Sequence, residues 1–271
     1  MRLSIDHRTT YRFSQPQTRL VQMLRLTPED THDQTIAAWR IDVDCDARLR
    51  TTRDGFGNKV TMIYAEGPLT HIEIAVTGEV LTSETPAAVL RGALDPLPPM
   101  VFLRSTPLTE PDEAIASFAA KVAGDGDSAA RLQRLNAALH ERFHLNIRRP
   151  NRGRTAAEAF VLPEATARDL AQMMIAAAHS LGFPARYVSG YCLTALSGAG
   201  CPTPHGWAEV HIEGTGWVAM DPCFGLRTDE SYVRVAVGLD GVGAAPVAGS
   251  RLGSGDEDLD VDVHVDKVLD R

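Results

Sequence analysis

Residues 1–83 alternate between apolar and polar side chains in short runs that are separated by turn-forming residues. Residues 9–13 are rich in β-prone side chains, residues 39–43 have the strand period of two, and residues 72–77 follow that period less strictly. Residues 54–58 contain two glycines and are typical of a turn. Because strands and turns follow one another without a helical period, the pattern predicts an N-terminal antiparallel β-sandwich.

Proline is predicted to interrupt the first domain once and then to end it. Residues 14–16, which include Pro16, are predicted to end the strand over residues 9–13. Residues 84–111 are rich in proline, which supplies no N–H group to a helix or a ladder. We therefore predict an extended connector over residues 84–111, between two domains.

Beyond the connector the apolar period changes from two to between three and four. Leucines recur at helical spacing between residues 132 and 139. Residues 166–169 have the form of a capping box, with Asp in place of Glu, and a mostly apolar stretch follows as far as Gly182. The pattern predicts a buried helix there, within an α+β core over residues 112–245.

Strand patterns return after this helix. Residues 185–193, 205–212 and 217–220 are predicted strands, and a glycine-rich turn joins the last two into an apparent hairpin. Helices packed on an antiparallel sheet are therefore expected in the core. The tail, residues 246–271, is acidic and alternates strictly over residues 259–265, which predicts either an added strand or a disordered segment.

Composition narrows the functional classes. The chain has 271 residues and a formal charge of -8, which argues against non-specific nucleic-acid binding. No stretch is long and apolar enough to cross a membrane, and the first residues lack the apolar run of a signal peptide. The four cysteines lack Cys-x-x-Cys spacing and are interpreted as reduced thiols. We expect a cytoplasmic protein with no nucleic-acid or membrane partner, no cofactor and no metal.

The core has the layout that a cysteine hydrolase needs. Such an enzyme places a thiolate at a helix N-terminus, an imidazole opposite it, and a carboxyl or amide that orients the imidazole. Here a buried helix is predicted to begin at Ala167, His205 begins one strand, and Asp221 ends the next strand of the hairpin. These three residues are the candidate site.

The motifs around these residues resemble those of the bacterial transglutaminase-like family, which is related to papain. They lie at residues 166–171, 181–191, 205–210 and 216–222 in the core, and at residues 7–13, 24–28 and 56–58 in the first domain. Their order along the chain makes the resemblance far more specific than any single motif does. The resemblance covers residues 1 to about 222.

The resemblance implies a β-sandwich followed by a papain-related α+β core. It also implies Cys-His-Asp chemistry on amides: peptide hydrolysis, deamidation or acyl transfer. His205 matches the base, Asp221 the orienting acid and Ala167 the nucleophile, whose methyl group can neither attack nor ionise. Gln172 and Phe224 also depart from the family pattern, and these extra departures favour natural divergence over an engineered replacement.

Three functions remain open at this point. The first is a pseudoenzyme that keeps the cleft and binds a peptide or protein partner. The second is a cysteine protease, amidase or acyltransferase, either inactivated by a Cys→Ala change at position 167 or using another thiol. Cys201 is the favoured replacement over Cys192 and Cys223, because it lies in a glycine-containing loop just before His205. The third is a structural scaffold that works through its N-terminal sandwich.

A group of arginines lies just before the core helix: Arg148, Arg149, Arg152 and Arg154. Guanidinium groups so placed would suit an acidic peptide or a phosphate. A solvated loop with local ion pairs is the other interpretation, and we favour it.

Overall fold

The computed structural model describes residues 1–84, 86–147, 153–193 and 204–268. The predicted α+β class, with antiparallel sheets, is confirmed. The helices are α1 (Glu113–Ala123), α2 (Ser128–Arg142), α3 (Ala156–Phe160) and α4 (Ala167–Ser180). The strands are β1 (Arg2–Leu24), β2 (Gln34–Val43), β3 (Ala47–Arg53), β4 (Lys59–Thr82), β5 (His144–Leu145), β6 (Glu164–Ala165), β7 (Ala185–Cys192), β8 (His205–Ile212), β9 (Gly216–Asp221), β10 (Leu226–Arg227), β11 (Tyr232–Gly238), β12 (Val247–Leu252) and β13 (Glu257–Lys267).

The N-terminal region is built on two long antiparallel strands, β1 and β4. The first half of β1 pairs with β13 and its second half with β12, while β2 and β3 pair with the two halves of β4. Apolar side chains from both halves, such as Ile74 and Ile63, pack in one cluster. One six-stranded sheet therefore bends over itself and supplies both layers of the sandwich.

The sequence predicted that the first strand ends at Pro16, but it does not end there. The strand continues to Leu24, and the ladder between β1 and β4 shifts register between Arg12 and Arg19. Because Pro16 lies within this irregular stretch, its missing N–H removes no regular ladder bond. The prediction of a strand end was wrong for this reason.

The acidic tail joins the N-terminal sheet. Strand β13 pairs with residues 3–13 of β1, and its alternation buries Val263 and Val265 while Asp260 and Asp262 face solvent. The added strand is thus observed, although the predicted boundaries at 1–83, 84–111, 112–245 and 246–271 stay a prediction.

The core places its helices on a second antiparallel sheet, in the order β10-β9-β8-β7-β11. Helix α4 is the central element, since its residues from Asp169 to Ala178 are all buried. It ends at Ser180, and Gly182 has a φ of 81°, which suits a helix C-terminus. Helix α4 packs on β7 and β8, so its N-terminus is held close to the sheet.

The connector lies against the core. It contains the short 3₁₀ helices Pro86–Ala88 and Pro99–Leu103. Val89 forms a β-bridge with Val218, and Phe102 is buried with its ring edge against Trp217. The segment is therefore more ordered than the predicted extended connector.

The N-terminal sheet packs directly on the core sheet. Their shared apolar cluster contains Leu3 and Ile5 of β1, Val263 of β13, and Tyr191 and Val233 of the core. This contact fixes one face of the N-terminal sheet beside the N-terminus of α4. None of the helices among the described residues is long and apolar enough to span a bilayer.

Candidate active site

The N-terminus of α4 carries the capping box that the sequence predicted. The Thr166 hydroxyl accepts a hydrogen bond from the Asp169 N–H at 3.2 Å, and the Asp169 carboxylate accepts one from the Thr166 N–H at 3.0 Å. Ala167 is the first residue of the helix. A cysteine at this position would lie at the positive end of the helix dipole.

His205 and Asp221 are brought together by the β8–β9 hairpin. The His205 Nε2 lies 2.7 Å from the Asp221 Oδ2, and both side chains are buried. Since a carboxylate accepts, Nε2 carries the proton of this hydrogen bond. The pair has the geometry in which an acid orients an imidazole.

Two further donors hold the Asp221 carboxylate. The Tyr232 hydroxyl donates to Oδ2 at 2.8 Å, and the Cys223 N–H donates to Oδ1 at 2.9 Å. Burial alone would raise the pKa of Asp221. The charge of His205 and the hydrogen bonds from His205, Tyr232 and Cys223 outweigh it, and the pKa of Asp221 is lowered. Asp221 is thus an anion that fixes the imidazole.

Tyr232 was missed in the sequence analysis. It lies on β11, beyond the motifs. Strand β11 pairs with β7 at the edge of the core sheet, and the Tyr232 side chain contacts Asp221 at the end of β9 from there. No local pattern indicates that pairing. Aromatic rings also surround His205: the Trp207 ring lies at 6.1 Å and 29° to it, and the Phe224 ring at 5.8 Å.

Ala167 and His205 line the same cavity, which has a volume of about 150 Å³. Its opposite wall comes from the N-terminal sheet, through residues of β1 and β13 such as Tyr11 and Val261. Residues 145–147 form another part of the lining. The cavity is thus a cleft between the two sheets, and its N-terminal wall was not predicted.

Gln172, one of the departures from the family pattern, has a structural role. Its side-chain amide donates to the Arg154 carbonyl at 3.0 Å, and its oxygen accepts from the Gly241 N–H at 3.3 Å. Gln172 is fully buried. It therefore ties the segment before α3 to the loop after β11, beside the cleft.

One of the described thiols lies beside the His205–Asp221 pair. One ligand atom each from Cys223, His205 and Asp221 lie within 4.8 Å of one another, and all three residues are buried. Cys192 lines the cleft. Cys201 lies outside the described residues, as do Arg148, Arg149 and Arg152. Among the described cysteines, Cys223 is the one placed in this cluster.

His7 anchors the N-terminal wall of the cleft to the core. Its Nδ1 is 2.9 Å from the Tyr191 hydroxyl, and its Nε2 is 3.0 Å from the Thr9 hydroxyl. Burial lowers the pKa of His7 to about 4, although Asp6 and Asp262 act in the opposite direction. The imidazole is therefore neutral in the folded protein at pH 7.

This buried imidazole predicts an acid-sensitive stability. The unfolded state takes up a proton below pH 6.5 and the folded state only near pH 4, so stability falls as the pH drops across this window. Between pH 7 and pH 5 the contribution of His7 falls by about 2 kcal/mol. In urea unfolding, the difference between the wild type and His7→Gln should shrink by this amount. Leu252→Gln, at an exposed position without a titratable group on β12, is the control and should show no such change.

Comparisons with known proteins agree with this architecture. Residues 3–81 match the family model of the bacterial transglutaminase-like N-terminal region, and residues 116–222 match that of the transglutaminase-like superfamily. The resemblance drawn from the sequence motifs is thereby confirmed.

Full-length relatives and a solved structure extend the match. An uncharacterised protein of Mycobacterium leprae (strain TN) is 26% identical over 278 residues, which cover 98% of this chain and 99% of the relative. A second, of Mycobacterium bovis, is 26% identical over 304 residues, which cover 98% of this chain and 92% of the relative. The crystal structure of a "putative cysteine protease" from Cytophaga hutchinsonii has a TM-score of 0.79 at 18% identity, and covers 100% of this chain and 92% of its own. That chain has the same fold.

Proposed function

We propose, from the premise that this chain belongs to the transglutaminase-like superfamily, that it is a non-catalytic member which binds a peptide or protein segment in its cleft. One observation carries the proposal. Ala167 lies at the N-terminus of α4 and lines the same cavity as His205, which Asp221 holds in place. The chain therefore has the imidazole and the carboxylate of the site but lacks a nucleophilic atom at position 167.

The cleft suits an extended segment with apolar side chains. Its lining includes Leu145, Ile147, Val247, Leu259 and Val261, from three different parts of the chain. Polar groups lie between them, as is usual for a binding cleft. A peptide is the ligand that the superfamily's amide chemistry suggests.

A cytoplasmic location belongs to the same proposal. Cys45, a described cysteine of the N-terminal sheet, is a free thiol. Free thiols are typical of a reducing compartment.

A defined pool of synthetic octapeptides tests the proposal. The chain should retain a subset of the pool on an affinity column. Ala167→Trp fills the cleft beside His205, and its indole occupies the volume of the ligand. The amount of that subset retained should therefore fall by at least about tenfold. An exposed substitution, Leu252→Trp on β12, is the control and should retain it. Equal retention by the chain and by Ala167→Trp, or no retention at all, would contradict peptide binding in this cleft.

A second function is favoured by the position of Cys223. Its sulfur lies within 4.8 Å of ligand atoms of both His205 and Asp221, so a relocated thiol could use the same imidazole. The chain would then be a cysteine protease, amidase or acyltransferase, as it also would be if a Cys→Ala replacement at position 167 had inactivated it. Amide cleavage or transfer that is abolished by Cys223→Ser and kept by Cys45→Ser would support the relocated thiol.

A further inference from the structure

The cleft has an unusual charge for a protein that carries a formal charge of -8. Among the described residues that line it, none is acidic, and Arg168 supplies a permanent positive charge. No carboxylate of the described chain lies within 4.0 Å of the Arg168 guanidinium, whereas Arg154 nearby lies 3.7 Å from Asp169. The cation in the cleft therefore has no anionic partner within the described residues.

The helix N-terminus adds hydrogen-bond donors to this wall of the cleft. Its capping box satisfies the N–H groups of Thr166 and Asp169, which leaves those of Ala167 and Arg168 as the other donors of the first turn. Such donors, together with the helix dipole, favour an anion. The small side chain of Ala167 leaves space for one there.

A buried hydroxyl in the same cleft lacks a partner. Ser189 lies on β7 opposite Gly206, the residue after His205, and is 4% exposed. Ser189 is one of the residues that line the cleft, and its Oγ has no hydrogen-bond partner in the described part of the chain. A buried polar group in this state normally pairs with a ligand or water. Ser189 is thus an independent sign that a polar group of a ligand belongs here.

We propose that the cleft recognises a free carboxylate on an apolar peptide, not the neutral amide on which the superfamily acts. The carboxylate would accept from the N–H groups of Ala167 and Arg168, from the Arg168 guanidinium and from the Ser189 hydroxyl. The apolar walls would hold the adjoining side chains. This inference rests on the proposed function, since it specifies the chemistry of the ligand in that cleft.

A carboxylate on a peptide can come from the chain terminus or from an Asp or Glu side chain. Three sets of N-acetylated tripeptides of Ala, Leu, Val and Phe separate these sources. The first has a free terminal carboxylate, the second a terminal amide, and the third a terminal amide with one residue replaced by Glu. Dissociation constants from calorimetry should be about tenfold lower for the first or the third set than for the second, because charge-assisted hydrogen bonds form only with a carboxylate. Whichever set is preferred identifies the source.

Substitutions of Arg168 and Ser189 test whether these side chains cause the preference for a carboxylate over an amide. Arg168→Gln should reduce the preference for the acid to less than about threefold, while Arg154→Gln, which changes an arginine paired outside the cleft, should keep it. Ser189→Ala should weaken binding of the acid by about tenfold without lowering the unfolding temperature of the free protein, because it removes a hydroxyl that has no partner there. A merely structural Ser189 would instead lower that temperature.

The outcomes separate the two proposals. Tripeptides that bind equally as acid and amide, or a preference for the acid that survives Arg168→Gln, would overturn the carboxylate inference while leaving peptide binding intact. Loss of all peptide retention in the octapeptide experiment would overturn the proposed function itself.

Discussion

Ala167→Cys is expected to create the most reactive thiol in the protein. The sulfur would meet the positive end of α4 and the imidazole of His205, and both lower a thiol pKa towards the range of roughly 3.5–7.5. A thiol with a pKa near 6 reacts about tenfold faster at pH 6 than one near 8.5, after allowance for its lower intrinsic nucleophilicity. The rate of iodoacetamide labelling, followed by mass spectrometry of tryptic peptides, measures this difference.

Cys45 serves as the internal reference for this experiment. Burial raises the pKa of its thiol, and Asp44 and Asp46 raise it further. The fast labelling at position 167 should slow when His205→Ala is added. Suppose the new thiol labels no faster than Cys45 while circular dichroism shows an intact fold. Then the residues around Ala167 have lost more than the nucleophile, and the inherited geometry assigned to His205 and Asp221 would be wrong.

Glu209→Gln is expected to destabilise the core by about 3–5 kcal/mol, the usual result of removing one partner from a buried ion pair. The Glu209 carboxylate lies 2.7 Å from the Arg186 Nε and 2.7 Å from the Arg234 Nε. Arg186 is 1% exposed, and its other carboxylate partner is Asp95 at 2.9 Å. Without Glu209, two guanidinium groups would lose a buried counter-charge. Urea unfolding at pH 7 measures the loss of unfolding free energy. The control is Glu257→Gln, which removes a more exposed ion pair with Arg251 and should lower the unfolding free energy by less than about 1 kcal/mol.

The same carboxylate gives this prediction a pH dependence. Burial would raise the pKa of Glu209, but Arg234 and Arg186 outweigh it and lower the pKa to about 2. Its contribution is complete above the ordinary value of 4.5 and is lost as the pH falls towards 2. The difference between wild type and Glu209→Gln should therefore be constant from pH 7 to pH 5 and shrink below pH 4.5. A cost below 1 kcal/mol at pH 7 would mean that this cluster does not stabilise the pairing of β7 with β8.

Local signals explain what the sequence could predict. The capping box of α4 involves only residues 166–169, so these four residues are enough to predict where the helix begins. The hairpin that joins His205 to Asp221 is also local, because one tight turn connects β8 to β9. Long-range pairing explains what was missed. Tyr232 reaches Asp221 only through the order of the core sheet, and the wall with Tyr11 and Val261 exists only because the end of the chain returns to β1.

Proline shows a second limit of the sequence patterns. Pro16 has the same chemistry in a strand end and in a bulge, and only the partner strand decides between them. The sequence therefore predicted short strands where β1 has 23 residues and β4 has 24. With short strands predicted, the sequence patterns gave no sign that one bent sheet forms both layers of the sandwich.

The claim that this chain binds peptides without cleaving them is tested most directly by following the mass of a bound peptide over time. A peptide that binds the unaltered chain is incubated with it for several days at pH 7, and its intact mass is followed by mass spectrometry. We predict an unchanged mass while binding persists, because Ala167 offers no atom that can attack an amide. Cleavage of a peptide bond, or loss of ammonia from a glutamine side chain, at a rate that Cys223→Ser abolishes would contradict the account and establish a thiol enzyme instead.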